Sequence, residues 1–313
     1  MNNKCIHCKS RNIKKIDTYK YFWYLCFDCG SASSQKKDSY LFSFLSPIIN
    51  LFPKQRETFH NKMSLLIGNK AVKQNSSSMY DYFLQESHVE WTLNSVKEFK
   101  ERVIQKYNID INNKEILDIS GGNGYFINEF KKDGANITFT EFNENAVKFV
   151  SENFGFTAYR FDVNEDSIEN IIKNKKFDIV FLRAVIMFSK DINKLLESLK
   201  KVTHKDSLII INYSVIPTVG TLLKTQYDEY NYFNLFSSKY LKEIVKEHKF
   251  EILGCDDDPD QEMYVYSQDR SRFLQLLKCF YEYKAISKIG METKFSFRAR
   301  NRRRFNLVLK NRD

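Results

Sequence analysis

The sequence predicts an α/β protein built on a doubly wound, parallel sheet, with a small metal-binding module at its N-terminus. Three observations carry this. A strand pattern, Glu115–Ile119, runs directly into the glycine turn Ser120-Gly121-Gly122-Asn123-Gly124 and then into a helix pattern, which is the nucleotide-binding corner of an open α/β sheet. Strand and helix patterns then alternate across residues 111–215. Four of the six cysteines fall into two C-x-x-C pairs, Cys5/Cys8 and Cys26/Cys29.

The chain has 313 residues, which suits one large domain plus a small one. Hydrophobic residues make up 42%, enough for a buried core. The formal charge of +10 is concentrated at the ends: residues 1–38 hold eight basic and three acidic side chains, and residues 291–313 hold eight against two. The body is close to neutral. End-weighted charge suits an acidic partner such as phosphate, nucleic acid or anionic lipid, and equally suits plain solubilisation. No signal-peptide pattern opens the chain. The longest apolar stretch, residues 40–52, is 13 residues broken by Pro47, short of the roughly 20 that a spanning helix needs. These features predict a cytoplasmic protein without a transmembrane segment.

The two C-x-x-C pairs stand 17 residues apart. Each pair turns both sulfurs toward one point, and two such knuckles give the closed tetrahedral S4 geometry of a structural Zn²⁺ site. Gly30, after Cys29, permits the tight turn beneath the metal. Residues 13–25 between the pairs read as a short aromatic hairpin. The whole resembles a zinc ribbon, with Cys5, Cys8, Cys26 and Cys29 as metal ligands and His7 facing solvent. Four thiolates leave no open coordination position, so the role is structural. Disulfides are disfavoured in a reducing compartment, and a redox C-x-x-C needs a βαβ context that this region lacks. Cys255 and Cys279 read as packed thiols.

Residues 39–110 form a linker. Apolar positions from Tyr82 to Ile104 recur every three or four residues, as on an amphipathic helix. That helix either covers the sheet or, at its start near His88, closes over the glycine-turn corner. His88 is the candidate base.

The glycine turn lacks the third glycine of a dinucleotide fingerprint, because Ile127 stands there. No P-loop Gly-Lys-Ser/Thr is present. Residues 116–124 instead resemble the first motif of class I S-adenosylmethionine-dependent methyltransferases, which places an acidic residue two before a glycine-rich turn. The resemblance implies a seven-stranded, Rossmann-like sheet over residues 111–313, with S-adenosyl-L-methionine as cofactor. Asp118 complements the cationic end of that ligand, and Gly121, Gly122 and Gly124 let the backbone approach it. Ser120 replaces the family's first glycine, which is tolerable at negative φ. Residues 136–141 form a second strand ending in Glu141, 23 residues past Asp118, where a carboxylate accepts the ribose hydroxyls. A third strand ends at Phe161-Asp162-Val163. The family holds adenine at that corner, so Asp162 takes the exocyclic amine and Val163 a backbone contact; capping the following helix is the other role open to Asp162. Residues 176–182 give a fourth strand with Arg183 at its end, open to cofactor, substrate or surface roles. Residues 207–212 give a fifth. Further on come a helix over 239–248, a strand over 250–254, a helix over 271–289 and a last strand over 305–310, which supplies the antiparallel strand of the family's sheet. His204 and His248 fall near predicted helix ends.

Methyl transfer needs alignment of an electron-rich atom with the methyl group and, at times, a base. The fourth-strand corner, Leu182-Arg183-Ala184-Val185-Ile186, lacks the Asn/Asp-Pro-Pro-Tyr/Phe tetrad of amino-methylating nucleic-acid enzymes, and it has no cysteine for 5-methylcytosine chemistry. In small-molecule members of the class, an insertion such as residues 226–233, rich in Tyr, often lines the acceptor pocket; ordinary surface packing of a Tyr-rich loop is the other reading, of equal weight. The reading is a methyltransferase for a small or carrier-linked biosynthetic acceptor, a sugar or similar. An RNA methyltransferase using ribbon and basic tail (residues 298–304 hold five arginines) is the alternative, and a non-catalytic cofactor-binding protein the second.

Overall fold

A computed structural model describes residues 4–17, 21–36, 86–173, 175–213, 232–256 and 305–313. The apolar stretch at 40–52, most of the tyrosine-rich insertion, the helix expected at 271–289, Cys279 and the arginine run at 298–304 lie outside them. The chain divides into two compact units, one of Met1–Lys73, Val215–Lys239 and Pro259–Arg302, the other of Gln74–Ser214, Tyr240–Asp258 and Arg303–Asp313. Among the described residues no helix is long and apolar enough to cross a membrane.

In the first unit, β1 (Ile13–Asp17) and β2 (Tyr21–Cys26) form the expected hairpin, and β3 (Ala32–Lys36) adds on antiparallel. Alternate residues of β2 face inward, so Tyr21, Trp23 and Leu25 are buried.

The second unit opens with α1 (Glu86–Phe99), which runs on into a π-turn over Lys100–Gln105. Then follow β4 (Glu115–Ile119), α2 (Tyr125–Lys132), β5 (Asn136–Glu141), α3 (Glu144–Phe154), β6 (Thr157–Arg160), the short α4 (Ile168–Ile171) and β7 (Phe177–Arg183). After β7 come α5 (Ile192–Val202) and β8 (Thr203–Tyr213). His204 lies two residues past the end of α5, near a helix end as expected, and already in strand β8, which begins at the residue after α5 with no loop between. After the insertion come β9 (Asn234–Leu235), a strand of the first unit, then α6 (Ser238–Glu247), β10 (Phe250–Asp256) and β11 (Phe305–Asn311).

Local chemistry sets the helix ends. The Asn143 side chain accepts from the Asn145 and Ala146 amides to start α3, and Gly155 closes it at φ 63°. Asp191 starts α5 in the same way. The large sheet has the order β10-β11-β8-β7-β4-β5-β6. β4 to β8 are parallel, and β11 alone runs against its neighbours. The final strand is thus the antiparallel one, as expected, and it lies inside the sheet between β8 and β10. Beneath β4 and β7, Phe99, Phe126, Phe130 and Phe181 pack edge and face with ring centroids 5.1–6.3 Å apart.

The small sheet of the first unit has the order β1-β2-β3-β9. Its fourth strand comes from the insertion: Ala32 pairs with Leu235 and Ser33 with Asn234.

Candidate functional site

Chain order in the large sheet reverses between β4 and β7, so the loops leaving their carboxyl ends part and open a crevice. Register aligns Ile119 with Leu182 on one side and with Thr140 on the other. The ends of β4, β5 and β7 therefore meet at one level, bringing together the glycine turn, Glu141 and Arg183.

Asp118 has none of its surface exposed, and neither carboxylate oxygen has a hydrogen-bond partner among the described residues. Burial pushes its pKa up to about 6, the Arg183 guanidinium draws it down, and Glu141 adds repulsion. The carboxylate lies behind the Gly121 backbone: a Cβ there would stand 2.4 Å from Asp118 Oδ2 and 2.3 Å from the Phe139 ring. Gly121 is thus glycine for want of space. Gly122, at φ 68°, is the opposite case, since a Cβ would meet nothing within 4 Å. Its outer side is open. Gly124, at φ 75°, caps α2 against Val150. Ser120 adopts φ 57°, not the negative value its side chain prefers. The turn keeps the shape a glycine would give it, at about 1 kcal/mol of left-handed strain.

Glu141 ties this turn to β5. Its Oε2 accepts from the Gly122 amide at 3.0 Å, and its Oε1 from the amides of Phe142 and Asn143 at 2.8 and 3.2 Å. Burial raises its pKa and the three amides oppose the rise. Phe142 beside it is 56% exposed, with the Arg160 guanidinium 5.2 Å from its ring centroid. Asp162 accepts from the Asn164 amide at 2.9 Å through Oδ1, while its own amide donates to Asp166 at 2.7 Å. That bond turns the loop back on itself and does not cap α4, whose N-cap is Ser167. Val163 is half-buried next to it. Arg183 ends β7 with its guanidinium 3.3 Å from the Phe126 ring centroid. His88 is half-buried in the first turn of α1, its ring 5.4 Å from that of Trp91 on the same helix.

Two positioning residues escaped the sequence reading. Thr140 accepts from the Ser120 amide at 3.4 Å and its carbonyl accepts from Gly121 at 3.0 Å. Asn164 joins two loops: its Nδ2 donates to the Phe188 carbonyl at 2.9 Å and its Oδ1 accepts from the Lys190 amide at 2.8 Å. A polar residue two positions past Asp162 was the only signal for the second.

In the first unit the sulfurs of Cys5, Cys8, Cys26 and Cys29 all lie within 4.8 Å of one another. Cys5 and Cys29 are 3.8 Å apart, Cys8 and Cys26 3.5 Å. The hydrogen bond from Cys29 draws the Cys5 thiol down to about 4, and the same bond pushes Cys29 up. Burial lifts Cys26 to about 11. The two knuckles match bond for bond. Lys9 and Gly30, at φ 62° and 72°, each donate to the carbonyl four residues back at 3.0 Å. His7 corrects the expectation of a solvent-facing ring: it turns inward, edge-on to Phe236 at 5.2 Å, and burial lowers its pKa.

A glycine turn at the switch point of such a sheet, backed by a buried acid and followed by a second acid on the next strand, defines a class I S-adenosylmethionine-dependent methyltransferase carrying an N-terminal ribbon. The chain belongs to the methyltransferase domain family, whose model matches residues 111–270. Similar solved structures include an S-adenosylmethionine-dependent methyltransferase from Mesorhizobium loti, 11% identical, covering 68% of this chain and 97% of that one with a TM-score of 0.46. Another is phosphoethanolamine N-methyltransferase 2 from Haemonchus contortus, in complex with S-adenosyl-L-methionine: 15% identical, 78% and 61% covered, TM-score 0.45. Among curated proteins none matches the sequence.

Proposed function

We propose that this methyltransferase modifies a small or carrier-linked biosynthetic acceptor, a sugar or similar, from a cofactor site formed by Asp118, Ser120, Gly121, Gly122, Gly124, Glu141, Asp162, Val163 and Arg183. The observation that carries the site is the buried Asp118 carboxylate, unpartnered among the described residues and set behind a turn whose Gly122 is open outward. A buried charge without donors is costly, and a cationic ligand group offsets that cost. S-adenosylmethionine supplies an electrophilic methyl on a sulfonium, together with such an ammonium group. Glu141 Oε2 accepts one amide and so keeps a lone pair for a hydroxyl. The exposed Phe142 ring offers a flat apolar face beside it. Asp162 Oδ1 is already engaged by Asn164, which leaves Oδ2 for an amine. The residues fit the cofactor. Alignment of the acceptor supplies most of the rate, with His88 the base to test.

The described part of the basic tail supports a small acceptor over RNA. Lys310 pairs with Asp206 at 2.8 Å, and Arg312 pairs with Asp206 and Glu251, so these cations are already neutralised. The decisive experiment supplies labelled cofactor with nucleotide-linked sugars, carrier-linked intermediates and RNA, while RNA binding is titrated against salt. Label in a small acceptor with no steep salt dependence supports the reading. Label in RNA, with affinity falling steeply as salt rises, overturns it.

The ribbon is proposed to hold one structural Zn²⁺. Four sulfurs around a zinc at 2.3 Å stand about 3.8 Å apart, close to the separations found. Thiols kept free for metal suit a reducing compartment, in line with a cytoplasmic location.

A further inference from the structure

The short strand β9 has no means of holding itself. It is two residues long, yet Asn234, Leu235, Phe236, Ser237 and Ser238 are all buried. Its anchors converge on the residues that follow the second cysteine knuckle. Ser237 Oγ donates to the carbonyl of Cys29 itself, and the Ser237 amide donates to Ser31 Oγ at 3.1 Å. Ser34 donates through its amide to the Phe233 carbonyl at 2.8 Å and through its hydroxyl to the Tyr232 carbonyl at 2.7 Å. Gly30 has no Cβ where one would come 3.1 Å from Ser237 Cβ, and His7 of the first knuckle abuts Phe236. Cys29 is at once a metal ligand candidate and the acceptor for Ser237.

We infer that metal binding at the four cysteines holds residues 232–238 in place, so that the ribbon positions the C-terminal end of the tyrosine-rich insertion. The physical ground is a shared backbone segment. Cys29 supplies a sulfur to the four-cysteine cluster and the carbonyl that accepts from Ser237, so the knuckle that a metal would close is the same piece of backbone that holds β9. When the knuckles open, Cys29, Ser31 and Ser34 leave their positions, and a two-residue strand loses every anchor named above. Tyr232 and Phe233 end the tyrosine-rich stretch, and any consequence for acceptor recognition rests on the function proposed above. The ordering itself does not.

The test uses the full-length protein and hydrogen exchange followed by mass spectrometry. Stripping the metal with a chelator is expected to speed exchange over residues 232–238 at least tenfold, while exchange over 115–124 and the affinity for S-adenosylmethionine change less than twofold. Ser34→Ala and Ser237→Ala are expected to speed exchange over 232–238 with one metal per chain retained, and Ser34→Thr to restore it. With cobalt(II) in the site, Ser237→Ala should shift the visible absorption, because the hydroxyl bonds to a ligand residue's own carbonyl. Unchanged exchange over 232–238 after stripping overturns the inference, as does equal acceleration over 115–124. Should stripped protein aggregate, the serine variants decide: protection undiminished in both overturns the coupling. None of these readouts needs the acceptor, so a wrong acceptor assignment is told apart from a wrong coupling.

Discussion

At the scale of single residues, Asp118 combines full burial with two oxygens unpartnered among the described residues, and its pKa near 6 lies above the 3.8 of a free carboxyl. A raised folded pKa means that the native state holds the proton more tightly than the unfolded chain. The stability this group contributes is therefore present below about pH 4 and lost as pH rises through about 6, some 3 kcal/mol for a shift of about two units. Asp118→Asn should abolish that part of the pH dependence, leave the melting temperature at pH 7.5 unchanged or higher, and weaken cofactor binding at least tenfold. Thermal melts at pH 5 and 7.5 with calorimetry check it; unchanged affinity would remove Asp118 from the site. The glycine turn gives a second, graded prediction. Gly121→Ala forces a Cβ onto Phe139 and Asp118 and should destabilise the domain outright. Gly122→Ala meets only the cost of left-handed φ, about 1 kcal/mol, and should fold yet bind cofactor poorly. Ser120→Gly should raise the melting temperature by a few degrees, since it relieves the strain at φ 57°. A reversed order among the three would contradict the turn geometry.

At the scale of elements, two connections carry more than their length suggests. Asn164 joins the loop after β6 to the loop after β7 with two hydrogen bonds. Asn164→Ala should cost about 1–3 kcal/mol and loosen cofactor binding, because both loops border the crevice. If stability falls while cofactor affinity is untouched, the loops it joins do not shape the site. The ribbon is the other such element. Purified protein should carry about one zinc per chain, and Cys26→Ser should lose it, whereas a metal-free protein with its thiols paired as disulfides would defeat the assignment. The hairpin of the ribbon was legible from alternating aromatics between the C-x-x-C pairs. The inward turn of His7 was not, because it depends on Phe236, which arrives from more than two hundred residues away.

At the scale of the molecule, β11 lies inside the sheet with partners on both sides. A chain truncated after Arg304 should leave β8 and β10 without their shared neighbour and fail to fold, as read by circular dichroism and solubility; a folded, cofactor-binding truncation would show the strand dispensable. Phe181, at the centre of the aromatic cluster under β4 and β7, should cost about 3–5 kcal/mol when cut to alanine. With β3, β9 and the short α4 left aside, the sequence by itself determined the alternation of strands and helices in the large sheet, the glycine turn, the two acids at strand ends and the four cysteines. Each is a local pattern, written in periodicity or spacing among near neighbours. Only the tertiary structure decided the interior seat of β11, the pairing of β9 with the ribbon, the tethers made by Thr140 and Asn164, and the positive φ of Ser120. Strand edges carry no address in their own residues: which edge is left open, and which distant segment closes it, follows from how the rest of the chain has packed.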